Sequence, residues 1–455
     1  LVVAGDEPVF VSIGDAVPLQ ISVELQDGTI VNTKMGVNQQ AVNATIDGVA
    51  FTFVSRNTAV ATVALNTNTE VVEVTGVTRG VTVIDVTATS GGQTLEVEVP
   101  VNVDAYLSFL YLANPTPNGG GGWITTLGIQ PDGGLAVLQG QIDNTGRPLG
   151  IFAHPSGEFV YAVNVSGDDI TPYRVTQGTG LLTRIGTENF DAGDSPRGMA
   201  FAYDGAYAYV NNFNGDVLGY NVQDDGLLVP FGVAATSGSD FSGPAVNPAG
   251  DHLYTMNSGD DEVGIYSIDD GDGSLTLITT VPAGDRPFEI AFAANLPFAY
   301  VTNANSDDIS GYQVVGGNLV PLTPTPVFAT GGQPFSIAAH PTLPVVYSVG
   351  SDDTSLNVFS INETTGALTL IESVDSGVQP GGPIIDPSGS YMWIARGDYE
   401  LSTFTIAADG TLTRGPDFAD SSIDNGFART GVTIGNTLLR ASDQLLPEHR
   451  RYPLD

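Results

Sequence analysis

The chain has 455 residues, 42% of them hydrophobic, and its mean hydropathy of +0.10 suits a packed globular protein rather than a disordered one. Its formal charge is −37, from 51 acidic against 14 basic residues; that field repels phosphate backbones and anionic lipid, which excludes nucleic acid and an acidic membrane surface as partners. There is no cysteine, so disulfides, thiolate zinc sites and cysteine nucleophiles are excluded, and no apolar run reaches the roughly 18 residues that a membrane span needs.

The length exceeds what one ordinary core serves, so two or more domains are expected. With 56 glycines, 28 prolines and only 14% charged residues, the composition favours short strands joined by tight turns. Residues 1–103 alternate apolar and polar residues in short runs, clearest in "PLQISVELQDG", "GVAFTFVS", "AVATVAL", "EVVEVTG" and "GVTVIDVTATSGGQTLEVEVPVNV". Gly, Asn and Asp separate the runs, which predicts seven or eight strands in a β-sandwich held by packing alone.

From residue 104 a longer repeat takes over. One aromatic marks the same strand of each copy, at Tyr111, Tyr161, Tyr209, Tyr254, Tyr300, Tyr347 and Trp393, with spacings of 50, 48, 45, 46, 47 and 46 residues. A strand-only period of this size predicts a propeller, and seven copies predict seven four-stranded blades. Each copy opens on a strand of small residues ("GIFAHP", "SIAAHP") suited to a crowded channel wall, followed by the aromatic strand ("FVYAVN", "FAYVTN"), suited to filling space between sheets. An Asp-rich turn and two further strands complete it. The first copy lacks the leading strand, and an extra one, "RTGVTIG" at 429–435, follows the last copy; placed inside the first blade it would close the ring and remove two open edges. Residues 436–455 make no further blade. The expected fold is all-β: a sandwich over 1–103, a seven-bladed propeller over 104–435, and a C-terminal tail.

The phrases "NTAVATV" and "VTGVTRGVTVIDVTA" resemble bacterial Ig-like domains of group 2, which implies a spacer or adhesive module on an exported protein. Residues 104–435 resemble the seven-bladed lactonase family, including 6-phosphogluconolactonases, and the YVTN-repeat propellers of surface proteins; "AYVTNANSDDISGYQV" carries the YVTN phrase at Tyr300–Asn303. The resemblance implies polar catalytic residues at one channel mouth: a Pro-Arg-His blade, an Asn-Glu strand end and an Asn-Arg-Gly strand end. Here those positions read Gly198, Asn212 and Ala304. Neither glycine nor an amide takes a proton near neutral pH, so the expected reading is loss of lactonase chemistry, with no catalytic residue assigned.

Other candidates fall to turn chemistry or to ligand binding. His154 and His340 share the repeat position "AHP" with Asn247 and Asp386 and are expected to anchor turns; His252 and His449 complete the four histidines, no two of which have metal-ligand spacing. "DDGDGS" (269–274) lacks EF-hand order and reads as a hairpin turn, so neither a metal nor a cofactor is expected. Asn43, Asn164 and Asn362 begin N-x-Ser/Thr sequons. Arg147, Arg197, Arg286 and Arg429, joined by Gln333 and Gln379, lie near the starts of expected innermost strands and would converge on one channel mouth. They can bind a carboxylate or sugar acid, or be neutralised by carboxylates such as Asp194 and Asp285. The tail "NTLLRASDQLLPEHRRYPLD" combines Leu pairs with Arg440, Arg450 and Arg451 and reads either as a strap on its own propeller or as an arm for an acidic neighbour.

These readings lead to an exported, non-catalytic structural or adhesion protein of a bacterial or archaeal surface, self-associating or binding other surface proteins through residues 1–103 or the tail. The absence of Met at Leu1 fits a processed secreted chain, with the periplasm as an alternative compartment, and equally fits a trimmed one. The alternatives are a lactonase-like hydrolase of an acidic sugar lactone, using the arginine ring, and a carbohydrate-binding propeller for a glycan or acidic small molecule.

Overall fold

The structure is a computed structural model. It describes residues 106–435 apart from 116–120, 131, 145, 177, 237–242, 325, 421–422 and 424–430, and within 1–103 the strands and a few connecting residues. Two compact units result, one formed mainly by residues 1–107 and the other by residues 108–434.

Among its described residues the first unit has sheets of three, five and three strands. Its longest feature is the hairpin of Gly80–Ser90 on Gln93–Val103, paired over its whole length. Alternation places Ile84, Val86, Ala88, Val99 and Val101 in the interior with Phe51 and Phe53. The described strands do not establish the expected Ig-like sandwich.

The second unit is a seven-bladed propeller. Blades 2 to 7 each begin at an innermost strand: Pro148–Ala153, Pro196–Ala202, Ala245–Val246, Pro287–Phe292, Pro334–Ala339 and Pro383–Ile385. Each pairs antiparallel with the aromatic strand that follows it. In blade 1 the order is Leu135–Asn144, Gly122–Ile129, Ser108–Pro115, then Gly431–Gly435 on the inside. The chain's last described strand thus completes the blade that its first propeller strand began.

Alternation within the aromatic strands sends their rings into the space between blades, where Tyr111, Tyr161, Tyr209, Tyr254, Tyr300 and Tyr347 are fully buried and Trp393 is 1% exposed. A buried phenol needs a hydrogen-bond partner. Each finds the carbonyl of a glycine in the outer hairpin of the following blade: Tyr111 Oη donates to Gly180 O, Tyr161 to Gly226, Tyr209 to Gly273, Tyr254 to Gly317, Tyr300 to Gly366 and Tyr347 to Gly410, at 2.6–3.0 Å. These six glycines have φ between +69° and +86°, a region that side chains disfavour. At the seventh junction the ring against the corresponding Gly133 is that of Tyr391.

Candidate functional site

Successive innermost strands touch one another, Pro148–Ala153 against Pro196–Ala202 and Pro287–Phe292 against Pro334–Ala339, and so line the central channel. The residue two places before the partner of each repeat aromatic gives one level of that wall. Phe152, Ala200, Ala245, Ala291, Ala338 and Ile384 face the aromatics of blades 2 to 7. The wall positions are therefore Gly150, Gly198, Gly243, Glu289, Ser336 and Gly382. Four lack a side chain; the other two are neighbours.

Those neighbours are bonded to each other. Ser336 Oγ donates to Glu289 Oε2 at 2.6 Å, and the Ile337 amide donates to the same oxygen at 2.9 Å. An innermost strand has only one hydrogen-bonded neighbour, so an amide not used by the second strand points into the channel. The carboxylate oxygen that accepts it stands there too. Around its base, Thr302 Oγ1 lies 3.2 Å from the Glu289 amide and 3.3 Å from its carbonyl, fixing the strand. Glu289 keeps only partial exposure. Desolvation by burial raises its carboxyl above the usual carboxylate range, against the opposing bonds from Ser336 and Ile337.

Glu289 is the residue that sequence reasoning missed. The expectation of no catalytic residue rested on Gly198, Asn212 and Ala304; an ionisable carboxyl occupies the repeat position of Gly198 two blades further on. Gly198 itself has a steric cause, because a Cβ there would lie 2.3 Å from the Gly243 Cα. Blades 3 and 4 meet backbone to backbone at this level.

The mouth residues are placed as follows. Arg147 and Arg286 immediately precede the innermost strands of blades 2 and 5, and Gln333 precedes that of blade 6. Arg197 is the second residue of its strand, with its guanidinium 4.8 Å from the Phe213 ring centroid, a cation–π contact. Arg286, Gln333 and Gln379 have φ of 60°, 50° and 47°. Two of these strained positions are held by carboxylates: Asp261 Oδ1 accepts the Arg286 amide at 3.0 Å, and Asp307 Oδ1 that of Gln333 at 2.9 Å. Asp168 does the same for Ser195 at 2.8 Å. The Asp-rich turns thus fasten one blade's hairpin to the next blade's entry. Arg429, His449 and the tail lie outside the described residues.

The remaining candidates hold turns. His340 Nδ1 accepts the amides of Thr342 and Leu343 at 3.1 and 2.8 Å, which leaves Nε2 to donate to Gly389 O at 2.9 Å. His154 Nε2 likewise lies 3.1 Å from Gly205 O, and burial lowers its pKa. Asn247 and Asp386 cap the same turn in their own blades. In "DDGDGS", Asp269 and Asp272 accept the amides of Gly271 and Ser274 at 2.9 Å. Among the described residues no cluster of three or more His, Cys, Asp or Glu is arranged for a metal. None of their helices is long and apolar enough to cross a membrane.

Seven sheets around a central channel, with the closing strand supplied from the C-terminal side, define a seven-bladed β-propeller. Residues 71–321, more than half of the chain, match the family described as "Lactonase, 7-bladed beta-propeller", and the chain belongs to that family. It is 22% identical to a 6-phosphogluconolactonase of Formosa agariphila over 294 residues, 58% of this chain and 82% of the relative. With a 6-phosphogluconolactonase of Klebsiella pneumoniae it shares 23% over 298 residues, 62% of this chain and 88% of that one. A Staphylococcus epidermidis protein is 28% identical over 150 residues, 31% of this chain; the match spans 43% of that relative. The periplasmic gluconolactonase of Pseudomonas aeruginosa superposes with a TM-score of 0.59 at 21% identity, over 70% of this chain and 98% of its own. This last likeness concerns the fold.

Proposed function

We propose that the chain is a lactone hydrolase that opens an acidic sugar lactone in the propeller channel, with Glu289 as general acid–base. One observation carries the reading: a carboxyl of raised pKa stands in the channel wall, in the repeat column where the family resemblance implies an imidazole. Opening a lactone needs a group that takes a proton from the attacking oxygen and returns one to the departing ring oxygen. A carboxyl shifted toward neutral pH does both. Arg147, Arg197 and Arg286 supply positive charge at the mouth of an otherwise acidic molecule, which supports an anionic substrate. The relatives named 6-phosphogluconolactonases support the lactone class. The non-catalytic surface reading loses its premise once Glu289 is counted.

The test is pH-stat titration of acid release from δ-gluconolactone and a phosphorylated gluconolactone. Hydrolysis above background that falls about a hundredfold or more in Glu289→Gln is expected; background rates with the wild type would refute the proposal. For residues 1–103 a bacterial Ig-like spacer is the proposal, supported by the alternating strands, and export is its corollary. Self-association through that segment or residues 436–455 is tested by sedimentation of the two deletions.

A further inference from the structure

We propose that Ser336 is the nucleophile of this site, activated by Glu289, so that lactone opening passes through an ester on Ser336 Oγ. The proposal rests on the reading of Glu289 as the base and adds the identity of the attacking oxygen.

An activated hydroxyl nucleophile needs a base within about 2.6–3.2 Å and a third group that orients the base. The Ser336 hydroxyl is 2.6 Å from Glu289 Oε2. The Ile337 amide, 2.9 Å from the same oxygen, holds the carboxylate at the channel edge. The two residues come from the innermost strands of adjacent blades, Pro287–Phe292 and Pro334–Ala339, so the pair exists only where blades 5 and 6 are docked. Burial of the carboxyl makes it a stronger base. A purely structural serine would gain nothing from that.

The step balances. Oγ attacks the lactone carbonyl carbon, the Oγ–C bond forms, and the hydroxyl proton passes to Glu289. The ring C–O bond breaks and its oxygen takes that proton. Water then attacks the ester and gives its proton to Glu289. The C–Oγ bond breaks, Ser336 is reprotonated, and the net reaction consumes one water.

The experiment is acid quenching of the full chain during turnover of δ-gluconolactone, and separately after exposure to p-nitrophenyl acetate, followed by intact mass measurement and peptide mapping. An adduct on Ser336, absent in Ser336→Ala and formed at least a hundredfold more slowly in Glu289→Gln, is expected. Ser336→Cys keeps a nucleophile of similar shape and should carry the adduct as a thioester. Acylation of Ser336 by the nitrophenyl ester without turnover of any lactone supports the pair while refuting the lactone reading. Normal lactone turnover by Ser336→Ala, with Glu289→Gln inactive, overturns the proposal and leaves the lactone reading standing, with water as the attacker. No acylation by either reagent overturns it as well.

Discussion

Tyr300→Phe removes one oxygen from the interface between blades 5 and 6. Tyr300 is fully buried, and its Oη donates to Gly366 O at 2.7 Å. The ring still fills its space in the variant, so no cavity term enters. What is lost is a net hydrogen bond of about 1 kcal/mol, together with the penalty of a buried carbonyl left unpaired, for a total of about 1.5–3 kcal/mol. Unfolding entropy of about 2.1 cal/mol/K per residue, over a ring of about 320 residues, gives roughly 0.7 kcal/mol/K. The expected drop in Tm is therefore about 2–4 °C, measured by calorimetry on the propeller transition. Burial raises the phenol pKa, so the donor stays protonated and the drop should persist into alkaline buffer. An unchanged midpoint in Tyr300→Phe and in Tyr347→Phe, with Tyr300→Ala strongly destabilised, would show that the rings act by volume alone.

Glu289 is protonated more readily in the folded chain than in the unfolded one. Its contribution to stability is therefore complete below the ordinary carboxylate pKa and is lost as pH rises through the raised value; Glu289→Gln should flatten that part of the urea-midpoint profile relative to wild type. Gly198→Ala places a Cβ 2.3 Å from the Gly243 backbone, and a loss of about 1–3 kcal/mol from overpacking is expected by urea titration. Gly198→His should fare no better, so adding the imidazole there should not raise the hydrolysis rate. Arg197→Ala should raise KM for an acidic lactone about tenfold while leaving that for a neutral one unchanged, which parallel initial-rate assays would read.

Blade number and closure were legible because they rest on period. Seven aromatics at spacings of 45–50 residues mark the inter-blade positions, and a leftover strand at the C-terminal end has one place to go. The phenol–glycine bonds were not legible, since donor and acceptor lie 63–69 residues apart and only the packed ring brings them together. Glu289 was legible in principle: "RPFEIAF" set beneath "SPRGMAF" and "QPFSIAA" shows a lone carboxyl in a column of Gly and Ser. Its place is obscured because the family phrase lies in the blade of Gly198, whereas this carboxyl sits two blades away. The empty place at Gly198 could not be explained from its own blade either, because the cause is the Gly243 backbone of the next.

Six junctions of the ring are latched by a phenol reaching into the following hairpin, and the seventh joins Trp393, Tyr391 and Gly133 beside the exchanged strand Gly431–Gly435. The circle accordingly has one dissimilar joint, and it adjoins the blade in which the first and last propeller strands meet. Heat, denaturant or traction on the C-terminal end should part the molecule there first, like a clasp, while the six uniform joints still hold the remaining arc together.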